Sequence, residues 1–206
     1  MSDSILIGIA GNIGVGKTTL TEKLGKKLDL RTYYESVIDN PFLDEFYSDM
    51  ARWSFNLQIY FLAHRFKSQK EISEVGRNAV QDRTIYEDVE IFARSLYEQE
   101  FMSQKDYDCY SDLFHNMIPF LKKPDVIIYL NASVDTLMGR IQQRGRDFET
   151  TIERSYIEYL NESYARWMKK ARNEFHVLEI DANKTDFVNG DEDLDKLVEQ
   201  LKELVF

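Results

Sequence analysis

Apolar positions along the chain follow two alternating patterns. Five short runs are rich in β-branched and aromatic residues: Ile5–Ala10, Leu30–Tyr34, Asn78–Gln81, Val126–Leu130 and Phe175–Ile180. Between them lie longer stretches of helical character, near Lys17–Leu28, Pro41–Asp49, Trp53–Glu74, Tyr86–Gln99, Gln104–Phe120, Val134–Gln143, Glu153–Arg172 and Leu194–Leu204. Strands that alternate with helices pair in parallel through crossover helices, whereas an antiparallel sheet needs no such crossovers. The pattern predicts an α/β fold with five strands in one parallel sheet.

The 206 residues fall within the range of one domain, and a hydrophobic content of 43% is ample for one core. No repeat, low-complexity tract or linker divides the chain, so residues 1–206 read as a single domain. Asn189-Gly190-Asp191-Glu192-Asp193 reads as a loop and a solvated helix start, where carboxylates favour the positive end of the dipole.

In an open parallel sheet, ligands gather at the carboxyl ends of the strands. The first strand runs into Gly11-Asn12-Ile13-Gly14-Val15-Gly16-Lys17-Thr18-Thr19. Two glycines with four residues between them, followed by Lys and Thr, form the P-loop pattern, here with the strand before and the helix after that its mechanism requires. Glycines let backbone N–H groups converge on phosphate oxygens, and the helix N-terminus faces the same anion. Lys17 would reach the outer phosphates and Thr18 would ligate magnesium.

A P-loop alone indicates a nucleoside triphosphate and leaves the reaction open. The second strand ends in Tyr33-Tyr34-Glu35-Ser36 and the third in Val80-Gln81-Asp82-Arg83-Thr84, so both deliver charge to the edge carrying the loop. A kinase for an alcohol needs a carboxylate for the hydroxyl proton and cations for the transferring phosphoryl group. Glu35 suits the first role and Arg83 the second, while Asp82 suits magnesium, directly or through water. In the helix beginning Trp53-Ser54-Phe55, Gln58 is an amide in apolar surroundings and is expected to have a partner, because an unpaired one costs about 1–3 kcal/mol. Arg65 returns to nearly the same face seven residues later. The two would suit the edge of a flat heterocycle. His64 has no companion ligand and is read as structural.

Arg140, Arg144 and Arg146 fall within seven residues, the first two on one helix face before Gly145 breaks the helix. In a chain of net charge −10, such a cluster looks aimed at a polyanion, as a lid over nucleotide phosphates spanning about 140–150. The same net charge argues against nucleic acid or an anionic membrane as partner. No apolar run approaches a membrane span, and Met1 to Asp3 lead straight into the first strand without the regions of a secretory leader. A cytoplasmic location is expected. The lone Cys109 is expected to be a small, buried or half-buried hydrophobe.

Taken in order, the Gly-rich loop, the strand-end Glu35, the Trp-Ser-Phe-x-x-Gln helix, and Asp82-Arg83-Thr84 followed by Arg144-Gly145-Arg146 resemble the deoxynucleoside kinase family, from the P-loop to the C-terminus. The resemblance implies a three-layer P-loop kinase fold that transfers phosphate from ATP or another triphosphate, with Mg2+, to the 5′-hydroxyl of a deoxynucleoside. It implies Glu35 as the base, Arg83 at that oxygen and the phosphoryl group, and Tyr47 and Glu149 on the sugar 3′-hydroxyl. Gln58 would pair with the base edge, Arg65 and Asp88 would shape the pocket beyond it, and Arg140, Arg144 and Arg146 would hold donor phosphates.

The Arg65 and Asp88 pair resembles the purine and deoxycytidine branch, placing deoxyadenosine or deoxyguanosine first and deoxycytidine second. A homodimer is implied through helices such as Tyr86–Gln99 and Gln104–Phe120. Three positions depart from the family pattern: Ser36 stands where proline is common, Asp82 where glutamate is, and Phe148 where the lid is often acidic. The loop Asp181–Val188 is expected over the donor adenine. A monophosphate kinase of the thymidylate type is the nearest rival, but its acceptor phosphate would be repelled by Glu35. A nucleotide-dependent switch would give no reason for a polar line inside an apolar pocket.

Overall fold

The computed structural model describes residues 4–35, 40–146, 149, 151–187 and 190–205. The expected five strands are present: β1 (Leu6–Gly11), β2 (Arg31–Tyr33), β3 (Ala79–Asp82), β4 (Val126–Asn131) and β5 (His176–Asp181). They form one parallel sheet in the order β2-β3-β1-β4-β5. β1 is buried along its whole length, as a central strand covered on both faces must be. After β3 the chain crosses β1 to reach β4, so the P-loop leaves the sheet where the strand order switches sides.

Register brings the charged strand ends together. Tyr33 pairs with Gln81, so Glu35 and Arg83, each two residues further on, emerge at the same level. Ile9 pairs with Asp82, which places that carboxylate beside the start of the glycine loop.

Helices flank the sheet: α1 (Lys17–Lys27), α2 (Leu43–Ser48), α3 (Met50–Val75), α4 (Ile85–Glu87), α5 (Arg94–Glu98), α6 (Gln104–Met117), α7 (Val134–Arg144), α8 (Arg154–Ala171) and α9 (Glu192–Val205). α3 starts three residues before its expected position because the Asp49 side chain accepts a hydrogen bond from the Arg52 amide, and it ends at Gly76 in the left-handed region. α7 is stopped, as expected, by Gly145 at φ 63°, and Ser133 caps its start. The largest core cluster joins the sheet to α8 and α9, and a second packs α3 against α6.

Three expectations change. The stretch expected as one helix over Tyr86–Gln99 is helical but interrupted by a π segment, Asp88–Ala93, between α4 and α5. The stretch Gln104–Phe120 ends as α-helix at Met117 and finishes in a 3-10 turn, Ile118–Phe120. Cys109 is exposed, because the buried face of α6 is the narrow Tyr110 and Phe114 line. Among the described residues, no helix is long and apolar enough to cross a membrane.

Candidate active site

The loop between β1 and α1 depends on its glycines. Gly11 has φ 147° and a Cβ there would lie 2.7 Å from the Leu130 carbonyl oxygen; Gly14 has φ 82° and a Cβ there would lie 2.8 Å from Ile141. A side chain at either would push the loop off β4 or α7. Asn12 anchors the loop, accepting from the Ile13 amide at 2.8 Å and donating to the Ile157 carbonyl and to Asn161 Oδ1. The Lys17 ammonium folds back under the loop, donating to the carbonyls of Gly11 at 2.8 Å and Asn12 at 3.0 Å. Burial, aided by the nearby Arg83 charge, pulls its pKa down to about 8.

Beside the loop, the Thr18 hydroxyl donates to Asp82 Oδ2 at 2.6 Å. Asp82 Oδ1 is buried without a hydrogen-bond partner among the described residues. A carboxylate oxygen left bare beside a P-loop hydroxyl fits a cation or its water, since buried acceptors are rarely left unmet.

Glu35 sits between two guanidinium groups. Its Oε1 accepts from Arg65 Nη2 at 2.7 Å and lies 2.9 Å from Arg83 Nε. Burial alone would raise this carboxyl, but Arg83, Arg65 and Lys17 together outweigh it and hold the pKa at about 2. Arg83 occupies the left-handed region at φ 67°, which is uncommon for any residue but glycine and costs backbone strain. Its guanidinium lies 4.3 Å from the centroid of the Phe92 ring. Arg65 also donates to Asp88 Oδ2 at 2.8 Å and to the carbonyls of Asp82 and Arg83. Burial lifts Asp88 to about 6 against the pull of Arg65.

A cavity of about 790 Å³ opens onto these groups. Residues Ile13 to Thr19, Glu35, Asp82 and Arg83 line it, together with Tyr47, Gln58, Asp88, Arg140, Arg144, Arg146 and Glu149. Gln58 lines the cavity, and its buried Oε1 has no hydrogen-bond partner among the described residues, which leaves it for a ligand. Arg65 differs from expectation. It lies behind the cavity wall, where it holds Glu35, Asp88 and the end of β3, and does not join Gln58 at the surface of the pocket. Tyr47 is held neutral, burial raising its pKa well above the ordinary value.

In the lid region, Arg140 donates to the carbonyls of Val15 and Ala182, both at 2.8 Å, and so ties the P-loop to the end of β5. Arg144 donates to Glu149 at 2.9 Å, and Arg146 lies 3.6 Å from the same carboxylate. Ser36 and Phe148 lie outside the described residues. An apolar pocket was expected around Gln58, but its lining residues, among them Leu57, Phe61, Phe92 and Tyr156, were not assigned. Leu57 and Phe61 belong to the apolar run that surrounds Gln58, and Phe92 lies four residues beyond Asp88 on the same helical stretch.

A glycine loop leaving the central strand of a parallel sheet, with its lysine, a Thr–Asp pair and strand-end ion pairs around one cavity, defines a phosphotransferase of the P-loop kinase fold. The family model described as deoxynucleoside kinase matches residues 7–206, and the chain belongs to that family. The deoxyadenosine/deoxycytidine kinase of Bacillus subtilis (strain 168) is 43% identical over 202 residues, covering 97% of this chain and 93% of its own. The deoxyguanosine kinase of the same organism is 36% identical over 212 residues and covers all of both chains. The structure of deoxyadenosine kinase from M. mycoides with products dCMP and a flexible dCDP bound superimposes with a TM-score of 0.87 at 32% identity, covering 97% of this chain and 100% of that one. The same enzyme with bound dATP superimposes with a TM-score of 0.84 at 31% identity, covering 96% and 99%. The chain is thus a kinase that phosphorylates deoxynucleosides.

Proposed function

We propose that this chain, working as one domain, transfers the terminal phosphoryl group of ATP to the 5′-hydroxyl of a purine deoxynucleoside, with deoxyadenosine and deoxyguanosine ahead of deoxycytidine. The observation that carries the reading is Gln58: a buried amide oxygen, without a hydrogen-bond partner among the described residues and lining the cavity beside Glu35 and the P-loop, suits the hydrogen-bonding edge of a base. The relatives named for deoxyadenosine, deoxyguanosine and deoxycytidine support the same substrate class.

In this reading the Glu35 carboxylate accepts the hydrogen bond of the 5′-hydroxyl and takes its proton as the phosphoryl group arrives. A carboxyl held near 2 is a weak base, so its first contribution is to orient the alcohol. Its basicity rises as Arg83 turns toward the phosphoryl oxygens. Tyr47 and Glu149 hold the sugar 3′-hydroxyl, with Asp88, backed by Arg65, beyond the base. Lys17, the loop from Gly14 to Thr19 and Arg140, Arg144 and Arg146 hold the donor phosphates, while Gly11, Asn12 and Ile13, whose amide or side-chain bonds are made within the chain, shape the loop. Thr18 and Asp82 would hold Mg2+, which fits the bare Asp82 Oδ1 and would offset charge on the phosphates.

Assaying deoxyadenosine, deoxyguanosine, deoxycytidine, thymidine and thymidylate side by side with ATP and magnesium tests this directly. Turnover of thymidylate above all nucleosides would replace the reading with that of a monophosphate kinase. Against that outcome stands the cluster itself, where Glu35 already occupies both Arg65 and Arg83 and would repel an acceptor phosphate. We also propose a homodimer through the α4–α5 stretch and α6, in keeping with the exposure of Leu113 and Phe120 there, to be checked by analytical ultracentrifugation. A cytoplasmic location completes the proposal.

A further inference from the structure

Behind the cavity wall lie two fully buried polar side chains, Glu87 and Tyr164, that do not line it and have no place in the scheme above. Arg83 Nη1 donates to Tyr164 Oη at 2.8 Å, and Tyr164 donates in turn to Glu87 Oε1 at 2.7 Å. The direction of this chain is fixed, because a guanidinium can only donate and a carboxylate can only accept.

Glu87 makes further bonds at both ends of the carboxylate. Oε1 also accepts from the Gly11 amide at 3.2 Å, where β1 becomes the P-loop. Oε2 accepts from the Thr84 amide at 2.7 Å and the Thr84 hydroxyl at 3.2 Å. Thr84 and Glu87 thereby form a capping box at the start of α4, a Thr-x-x-Glu spacing visible in the sequence. One carboxylate therefore ties the phosphate loop to the residue after Arg83 and, through the phenol, to the Arg83 guanidinium. The Tyr164 ring is itself held by stacking on Tyr129 of β4, with centroids 5.9 Å apart.

We infer that Glu87 and Tyr164 are a positioning pair that sets the Arg83 guanidinium against the P-loop, so that losing either group slows phosphoryl transfer without weakening nucleoside capture. The strained backbone of Arg83 supports this, since a left-handed non-glycine residue persists only where its surroundings over-determine it. Nη1 is held by Tyr164, and Nε lies 2.9 Å from Glu35 Oε1 as an ion pair without a hydrogen bond, so among the described residues Nη2 remains for a ligand in the cavity that Arg83 lines. Without the phenol, Nη1 keeps the longer 3.6 Å ion pair with Glu87 but loses its hydrogen bond, and the guanidinium can turn to form a two-pronged pair with Glu35, the geometry that arginine and carboxylate prefer. Arg83 would then be drawn away from the phosphoryl group.

The inference rests on the proposed role of Arg83, and the experiment separates the two. Tyr164→Phe keeps the stacked ring and removes only the hydroxyl. A displaced cation is expected to lower kcat roughly 10- to 100-fold, with nucleoside KM and Kd held within about threefold. Glu87→Gln should act in the same direction, and the double variant should lose no more than the worse single one, because the two act as one unit. Ser163→Ala is the control: it removes a buried hydroxyl, 3.1 Å from Ser95 Oγ, from the adjacent position of α8, and should lower Tm while keeping kcat.

Folded Tyr164→Phe and Glu87→Gln proteins with kcat within about twofold of the parent would overturn the inference, as would an equal kcat loss in Ser163→Ala or losses that multiply in the double variant. Arg83→Ala is run in parallel. Normal kcat there removes the role of Arg83 itself, whereas an inactive Arg83→Ala beside a normal Tyr164→Phe removes the positioning pair alone.

Discussion

Glu35→Gln keeps the shape of the side chain and removes its charge, in a site where two guanidinium groups converge on one oxygen. A carboxyl held at about 2 in place of its ordinary 4.5 is favoured as the ion by roughly 3 kcal/mol, and that preference adds to the stability of the folded state above pH 4.5. The sign follows from the direction: the folded pKa is depressed, so the contribution is complete above 4.5 and is lost as pH falls toward 2. The substitution leaves Arg65 paired with Asp88, and Arg83 with the Tyr164 hydroxyl and the more distant Glu87 carboxylate at 3.6 Å. For a chain of this size Tm falls about 2–4 °C per kcal/mol, so a drop of several degrees is expected at neutral pH and less in acid. Loss of the proposed proton acceptor should cost about 100- to 10,000-fold in kcat, with nucleoside Kd by calorimetry nearly unchanged. A variant that turns over within about threefold of the parent would remove Glu35 from the reaction, and an unchanged Tm would refute the account of the ion cluster.

Three further outcomes follow from the same geometry. Lys17, held at about 8, should impose a fall in kcat/KM for ATP as pH rises past 8, while the kcat profile, read with phosphate already beside the ammonium, should fall only at higher pH; identical limbs in both profiles would contradict this. Thr18→Ala removes the hydroxyl 2.6 Å from Asp82 and should raise the magnesium concentration needed for half-maximal activity about tenfold, which a magnesium titration at fixed ATP measures. Arg65→Met combined with Asp88→Ala should shift the ratio of kcat/KM values toward thymidine and also lower kcat and Tm, because Arg65 supports Glu35 and the end of β3; unchanged purine selectivity would count against the pocket assignment.

The signals that were legible in the sequence are those that act locally. The alternation of β-type and helical stretches located all five strands: β1 and β4 are apolar and buried along nearly their whole length, while the partly exposed edge strands β2 and β5 were marked by β-branched and aromatic residues. The P-loop could be read because its glycine positions and the flanking strand and helix are fixed by backbone sterics. Depth could not be read. Gln58 and Arg65 share a face of α3 but stand two turns apart, about 10 Å along the axis, so one reaches the cavity and the other lies beneath its wall. The same limit applies to Cys109, one residue from Tyr110 and about 100° around α6 from the buried line. Among the described residues Gln58 Oε1 has no partner, and periodicity cannot say what would supply one, since it registers that an amide is surrounded but not by what. The π segment had no local signal either; it places Asp88 and Phe92 on the cavity through packing with distant elements.

The cations assigned to phosphate already have acceptors within the chain. Lys17 holds two loop carbonyls, Arg140 holds Val15 and Ala182, Arg144 holds Glu149, and Arg83 lies against Glu35. A triphosphate entering this site therefore exchanges bonds and does not create all of them, and the net gain from each exchange is far smaller than the bond itself. The arrangement avoids burying unpaired charge, which would cost more than the exchange does. On the proposed roles it would also couple the two substrates. Drawing Arg83 toward phosphate would free a lone pair of Glu35, the carboxylate proposed to receive the acceptor's proton, so donor binding would raise the basicity needed for transfer. Drawing Arg144 toward phosphate would likewise free Glu149 for its proposed contact with the sugar. A site organised by such exchanges should bind the second substrate more tightly once the first is present, and independent binding of the two in calorimetric titrations would show that these ion pairs stay closed through the reaction.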